Sequence, residues 1–158
     1  MSSGVIVSPE VIASFRTVKQ RKGKDPKAAF YKISADNTQI VLVGGTDDPN
    51  GPKVNGNPPG EYNSPQEEWE GEVVRHLTPS EPVYVIYDFE YTAGAGEGKR
   101  NKLLFITWSP DEARIKLKML YSSSKDALRR VVDGVKEVQA NDESDIVYDA
   151  VLDKVKRN

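Results

Sequence analysis

The chain predicts an α/β fold, a sheet covered by helices on both faces, in a single domain over residues 1–158. Three observations lead there. Alternating segments rich in β-branched and aromatic side chains are interleaved with segments of helical period, in the order helix, four strands interrupted by a helix, helix, strand, helix. A length of 158 residues suits one domain and can bury a sizeable core without staples. No cysteine is present, which excludes disulfides, thiolate metal sites and cysteine nucleophiles and suits a reducing compartment.

The elements follow in order. Residues 1–7 read as a flexible N-terminal arm. Ser8-Pro9-Glu10 is a helix start, and Val11, Ile12, Phe15 and Val18 form its apolar face. Residues 20–27 make a basic loop. Residues 28–34 and 39–43 read as strands joined by an Asp36-Asn37 turn. Residues 44–65, rich in Gly, Pro and Asn and nearly devoid of apolar side chains, predict a long surface loop. Ser64-Pro65-Gln66-Glu67 opens a short helix to about Leu77, with Trp69 and Val73 on one face.

Residues 83–91 alternate as a strand should, residues 93–100 form a glycine-rich turn, and residues 102–108 are apolar enough for a central strand. A long helix is then expected from Ser109 as N-cap and Pro110 as first helical residue, with Asp111 and Glu112 at the positive end of its dipole. Residues 136–140 suggest a short strand. Asn141 or Ser144 caps a last helix in which Val147, Val151 and Val155 recur every four residues. There is no internal repeat.

The long helix is two-sided. Ala113, Leu117, Leu120, Ala127, Leu128 and Val131 gather on a core stripe, while Arg114, Lys118, Lys125 and Arg129 form a basic ridge. Such ridges are usually solvated faces. Here few acidic side chains stand beside the cations in sequence, and Ile115 and Met119 fall outside the core stripe. Exposed apolar groups beside cations favour a protein-binding surface over a nucleic-acid groove.

Bulk charge and motifs narrow the function further. With a net charge of −2 there is no global attraction to nucleic acid, so an anionic partner has to be met by a local patch. The start carries no secretory pattern, and no segment approaches the ~20 apolar residues that span a bilayer. A soluble, intracellular protein is expected. His76 is the single histidine and reads as a surface or helix-end residue, since a triad needs partners that the sequence does not supply. No metal cluster is visible. Asp47-Asp48 and Glu67-Glu68 read as solvating acidic pairs. Gly94-Ala95-Gly96-Glu97-Gly98-Lys99 fails as a phosphate loop, because the earlier glycine is Ala93, Arg100 replaces Ser or Thr, and a strand follows instead of a helix. It reads as a hairpin turn whose tip, Lys99-Arg100-Asn101-Lys102, is a second exposed basic patch.

Several ordered segments together resemble the actin-depolymerising factor/cofilin family, of fungal type. They are Ser3-Gly4-Val5, Val85-Ile86-Tyr87-Asp88, Trp108-Ser109-Pro110, Lys116 to Tyr121, Ser123-Ser124-Lys125-Asp126-Ala127 and Val151-Leu152-Asp153-Lys154-Val155. The resemblance covers nearly the whole chain outside residues 44–65. It implies one actin-depolymerising-factor homology domain, a mixed five-stranded sheet sandwiched between two pairs of helices, with no enzymatic activity and no cofactor. It implies binding to actin monomers and filament sides, preference for ADP-bound subunits, severing, and faster loss of subunits at pointed ends. The expected location is the cytoplasmic actin cytoskeleton, with entry into nuclei as in relatives, and the expected state is a monomer.

Site roles follow from the same resemblance. The surface for monomer and filament would comprise Ser3, Gly4, Lys116, Lys118, Met119, Lys125, Arg129 and Arg130. The filament-specific surface would comprise Lys99, Arg100, Lys102, Asp153, Lys154 and Arg157. Phosphoinositide headgroups would compete for Lys116, Lys118, Lys125, Arg129 and Arg130 as inhibitory ligands. Ser3 aligns with a regulatory phosphorylation site, where a phosphate adds about −1.5 to −2 charge. Arg114 stands where the family commonly has proline, and Leu117 where it commonly has serine. On a regular helix Lys116 and Lys118 point about 200° apart, so either the helix starts irregularly or the partner wraps around its narrow end. Two alternatives compete: a regulator of the actin branching complex similar to glia maturation factor, and a phosphoinositide-binding adaptor.

Overall fold

Strand patterning places the sheet first. In the computed structural model, residues 4–22, 26–43, 62–92 and 98–157 are described. The strands are β1 (Ile6–Val7), β2 (Ala28–Ile33), β3 (Gln39–Leu42), β4 (Val83–Thr92), β5 (Lys99–Trp108) and β6 (Lys136–Ala140), and the helices are α1 (Pro9–Lys19), α2 (Pro65–Glu72), α3 (Ile115–Arg129) and α4 (Tyr148–Lys156). They form one sheet in the order β1-β3-β2-β4-β5-β6. The central pairs are antiparallel, and the outer pairs β1–β3 and β5–β6 are parallel.

Alternation along β4 and β5 divides the core into two layers. Val85, Tyr87 and Phe89 with Leu104, Ile106 and Trp108 pack under Trp69 and Val73 beside α2 and under Val151 and Val155 of α4. Tyr84 and Ile86 with Phe105 pack under Val11, Phe15 and Val18 of α1 and Tyr121 and Leu128 of α3. Burial on both faces explains why residues 83–87 and 103–108 are apolar at nearly every position. The two helix pairs therefore cover opposite faces.

Four differences from the sequence reading have identifiable causes. The sheet has six strands instead of five, because Ile6 and Val7 pair in parallel with Gln39 and Ile40. The Ile6 N–H donates to the Thr38 carbonyl at 3.1 Å and the Ser8 N–H to the Ile40 carbonyl at 3.0 Å. Two residues are too few to show a period, so the pairing was hidden inside the expected arm. Residues 1–3 lie outside the described residues, as do residues 44–61 of the expected loop. Ser64 caps α2 as expected, accepting from the Glu67 N–H at 3.2 Å.

The long helix starts at Ile115, not Pro110. The N–H groups of Ser109 and Asp111 are taken by the carbonyls of Ala140 and Asn141 at 2.9 and 3.0 Å. Those bonds carry the β5–β6 pairing past Trp108 and hold residues 109–111 out of a helix. A turn follows, closed by the Ala113 N–H on the Pro110 carbonyl at 3.0 Å, and Arg114 is extended at φ −59° and ψ 139°. The core stripe correspondingly centres on Tyr121, Ser124 and Leu128, with Leu117, Leu120, Ala127 and Val131 half-buried at its margins. Near the C-terminus, Asp142 caps a 3-10 turn over Glu143–Asp145, and Val147 is the exposed N-cap of α4 and no part of the core.

Candidate functional site

Tyr121 seats α3 on the sheet. Its hydroxyl accepts from the Ile33 N–H at 2.9 Å, and its carbonyl accepts from the Tyr84 hydroxyl. The two rings lie 5.1 Å apart. Burial pushes the Tyr121 hydroxyl up to about 12, partly opposed by the Ile33 N–H, so it stays neutral and usable as a hydrogen-bonding group. Leu128, fully buried, fixes the far half of the helix.

This seating determines what faces outward. At about 100° per residue, Leu117, Tyr121, Ser124 and Leu128 point to one side, and the opposite direction falls between Ile115 and Met119. Those two side chains are 75% and 66% exposed. Lys116 and Lys118 lie on either flank of this apolar pair. Their wide angular separation is therefore how two cations bracket a hydrophobic centre, on a helix that is regular from Ile115 onward. Among the described residues no carboxylate bridges Lys116 or Lys118. The first turn of α3 holds no acidic side chain. Cations at the positive end of a helix dipole are unfavourable by about 0.3–1 kcal/mol each, and an acidic partner removes that penalty.

The second half of the helix differs. Lys125 and Arg129 lie 3.8 and 3.4 Å from the carboxylate of Glu137 on β6, and Arg129 also donates to the Val132 carbonyl at 2.8 Å. The expectation of few neighbouring acids thus fails at these two positions, because Glu137 arrives from β6, the strand that follows the helix and lies outside its own periodic pattern. Arg130 is exposed. On the other flank β1 packs against α3, which brings the N-terminal segment beside the helix. Gly4 is exposed at φ +80°, a conformation that favours glycine, and Ile6 is 65% exposed. Sequence patterning missed Ile6, since its role depends on the unsuspected β1–β3 pairing. Ser3 lies outside the described residues.

A second basic patch occupies the start of β5. Lys99, Arg100 and Lys102 are exposed and belong to the strand, paired with Thr92, Tyr91 and Phe89, not to a loop tip. The sequence reading placed the strand start at residue 102 because polar side chains on both faces carry no alternation. Arg100 and Lys102 share the sheet face of Leu104, the face covered by α2 and α4. Lys99 points the other way, 3.9 Å from Glu90. Asp153 on α4 and Arg157, the residue that follows the helix, are exposed, and Lys154 donates to the Gln139 carbonyl at 3.4 Å.

The remaining motifs resolve as structure. His76 ends a 3-10 turn edge-on to Phe30, with ring centroids 5.6 Å apart, and burial, then Arg75, lowers its pKa. Glu68 is no solvating acid: it takes the buried Lys27 ammonium and the Tyr87 hydroxyl. Asp47, Asp48 and residues 94–97 lie outside the described residues. Among the described residues no group of three or more His, Asp or Glu is placed to hold a metal ion, and no helix is long and apolar enough to cross a membrane.

Comparison with known proteins matches this arrangement. Residues 4–156 fit the family described as cofilin/tropomyosin-type actin-binding protein. The cofilin of Mycosarcoma maydis is 41% identical over 159 residues, covering 100% of this chain and 99% of the relative. The cofilin of Saccharomyces cerevisiae is 38% identical over 156 residues, covering 98% and 94%. The crystal structure of Streptomyces griseoflavus cofilin superposes with a TM-score of 0.75 at 30% identity, covering 98% of this chain and 99% of that one. Sheet, helix pairs and both basic patches all fall inside the matched residues, and the chain belongs to the cofilin family of actin-binding, non-enzymatic proteins.

Proposed function

We propose that the protein binds actin monomers and the sides of actin filaments, severs filaments, speeds subunit loss from pointed ends, and so drives actin turnover. The observation that carries the reading is the outward face of α3, where exposed Ile115 and Met119 are bracketed by Lys116 and Lys118 without acidic partners among the described residues. A hydrophobic centre with a charged rim is the anatomy of a protein interface. Lys125, Arg129, Arg130, Gly4 and Ser3 extend this surface. Lys99, Arg100, Lys102, Asp153, Lys154 and Arg157 form the filament-only surface. Two surfaces let one molecule bridge neighbouring subunits, and a filament twist that suits both contacts is favoured by binding, ADP-bound subunits most of all.

Polyanionic phosphoinositide headgroups compete for Lys116, Lys118, Lys125, Arg129 and Arg130, and a phosphate on Ser3 weakens binding by repulsion. The protein acts as a monomer at the cytoplasmic actin cytoskeleton.

High-speed co-sedimentation with preformed pure actin filaments tests the reading. The wild type is expected to pellet with filaments and to move actin into the supernatant. Lys116→Ala/Lys118→Ala is expected to bind at least about tenfold more weakly with a nearly unchanged melting temperature, because Lys116 is exposed, Lys118 is only half-buried, and neither bridges a carboxylate among the described residues. A wild type that stays soluble and leaves filaments intact contradicts the reading and points to the branching complex or to a lipid surface instead.

A further inference from the structure

At one end of the sheet β4 and β5 run on without neighbours. β2 pairs with β4 only as far as Tyr87, and β6 joins β5 only from Leu104. Residues 88–92 and 99–103 therefore pair with each other and with no third strand among the described residues. Two-stranded ribbons twist more strongly than strands inside a sheet, and an isolated one is marginally stable in water. Lys99, Arg100, Asn101 and Lys102 are all exposed and none is apolar, so burial does not hold the start of β5 in place. Yet this segment carries the second basic patch.

Side chains grip the root of the ribbon from both faces instead. On the face covered by α2 and α4, the Phe89 ring stacks on Tyr148 with centroids 5.2 Å apart, and the Tyr148 hydroxyl donates to the Glu90 carbonyl at 3.2 Å. On the other face stands Asp88, which shares the side of Tyr84 and Ile86. Its carboxylate accepts from the Asn101 side-chain amide across the ribbon at 3.0 Å and lies 3.5 Å from Nε of Arg21. Arg21 comes just past the end of α1. Its Nε is shielded from solvent and makes no hydrogen bond, so the Asp88 charge is what compensates it. The two side chains are 27% and 13% exposed, and such a partly buried pair is screened by salt less than a surface one. The Asp88 N–H is also taken, by the Lys27 carbonyl at 2.9 Å. Asn101 lies between Arg100 and Lys102 in sequence but on the opposite face of β5, so this network holds the basic patch from behind.

We infer, on the assignment of Lys99, Arg100 and Lys102 to the filament-only surface, that Arg21, Asp88 and Asn101 are positioning residues for that surface. They touch no actin themselves. They tie the ribbon to the end of α1, so that its cations meet the filament in one fixed direction. A ribbon left to swing has to be ordered on binding, and that ordering costs affinity. Monomer binding, which uses α3, does not depend on the ribbon.

The test compares Arg21→Gln with Lys22→Gln, which removes the same charge one residue away from an exposed position. Arg21→Gln is expected to weaken filament binding about fivefold and to keep ADP-actin monomer affinity within about twofold, whereas Lys22→Gln keeps both within about twofold. In the free protein, amide hydrogen exchange at residues 99–102 is expected to quicken about tenfold in Arg21→Gln alone. Asn101→Ala, at an exposed position, is expected to show the same split at about threefold, and serves if Arg21→Gln does not fold. Equal filament losses in Arg21→Gln and Lys22→Gln would reduce the effect to bulk charge and overturn the inference. So would a matching loss of monomer affinity, unchanged exchange at residues 99–102, or wild-type filament binding by the folded clamp variants. Lys99→Ala/Arg100→Ala/Lys102→Ala, measured alongside, separates the two failures. If it alone weakens filament binding, the surface stands and only the clamp fails; if it too binds filaments as the wild type does, the surface itself is misassigned.

Discussion

Lys27 shows how far a single residue departs from its usual place. It is 5% exposed, against Glu68 at 17%, and the Tyr87 hydroxyl approaches the same carboxylate at 3.3 Å. The group ties the start of β2 and strand β4 to α2. Replacing one partner of a buried pair leaves the other uncompensated, so Lys27→Met is expected to lose about 3 kcal/mol, measured by urea denaturation. A change below about 0.5 kcal/mol would mean that Glu68 is rehydrated without the lysine. Nothing in the sequence reveals this pair, because Lys27 closes a basic run and Glu68 follows another glutamate. The exposure of Lys116 and Met119 was legible because it needs only a helical period, whereas Ile6 depends on the β1–β3 pairing and Glu137 reaches Lys125 and Arg129 only once β6 pairs with β5.

At the scale of elements, α3 carries the proposed actin-facing surface and Tyr121 is its anchor. Tyr121→Phe keeps the ring in the core but leaves the buried Ile33 N–H without its acceptor. A loss of about 1–3 kcal/mol is expected in denaturation, since an orphaned buried donor carries its full desolvation penalty. The Tyr84 hydroxyl still reaches the residue 121 carbonyl, so the helix should remain seated and a folded variant should keep its actin affinity. Thermal melts and co-sedimentation on one sample separate the two effects. The helices and central strands were readable from periodicity and turn chemistry. The true start of α3 was not, because Ser109, Pro110, Asp111 and Glu112 are good helix-opening residues locally, and it is the β5–β6 backbone pairing continued through residues 109 and 111 that overrides them.

For the whole molecule, buried tyrosines set the alkaline limit. Burial raises the hydroxyls of Tyr31, Tyr84 and Tyr87 above their ordinary value and Tyr121 to about 12. A folded-state pKa above the unfolded 10 gives stability that is complete below pH 10 and declines as pH rises through the folded value. Unfolding is therefore expected to steepen above about pH 10, with the buried tyrosines ionising together with loss of circular dichroism instead of ahead of it. Separate early ionisation of all the tyrosines would show that the hydroxyls are not buried.

The two basic patches lie on different elements, one on α3 and one on β5 and α4, so monomer and filament binding should be separable by mutation. The direct measurement is the affinity of two variants for ADP-actin monomers and for filaments, side by side. Lys116→Ala/Lys118→Ala is expected to weaken both by at least about tenfold, and Lys99→Ala/Arg100→Ala/Lys102→Ala to weaken filament binding alone by a similar factor. Equal losses in both assays for the β5 variant, or an α3 variant that binds monomers as the wild type does, would contradict the division into a shared and a filament-only surface.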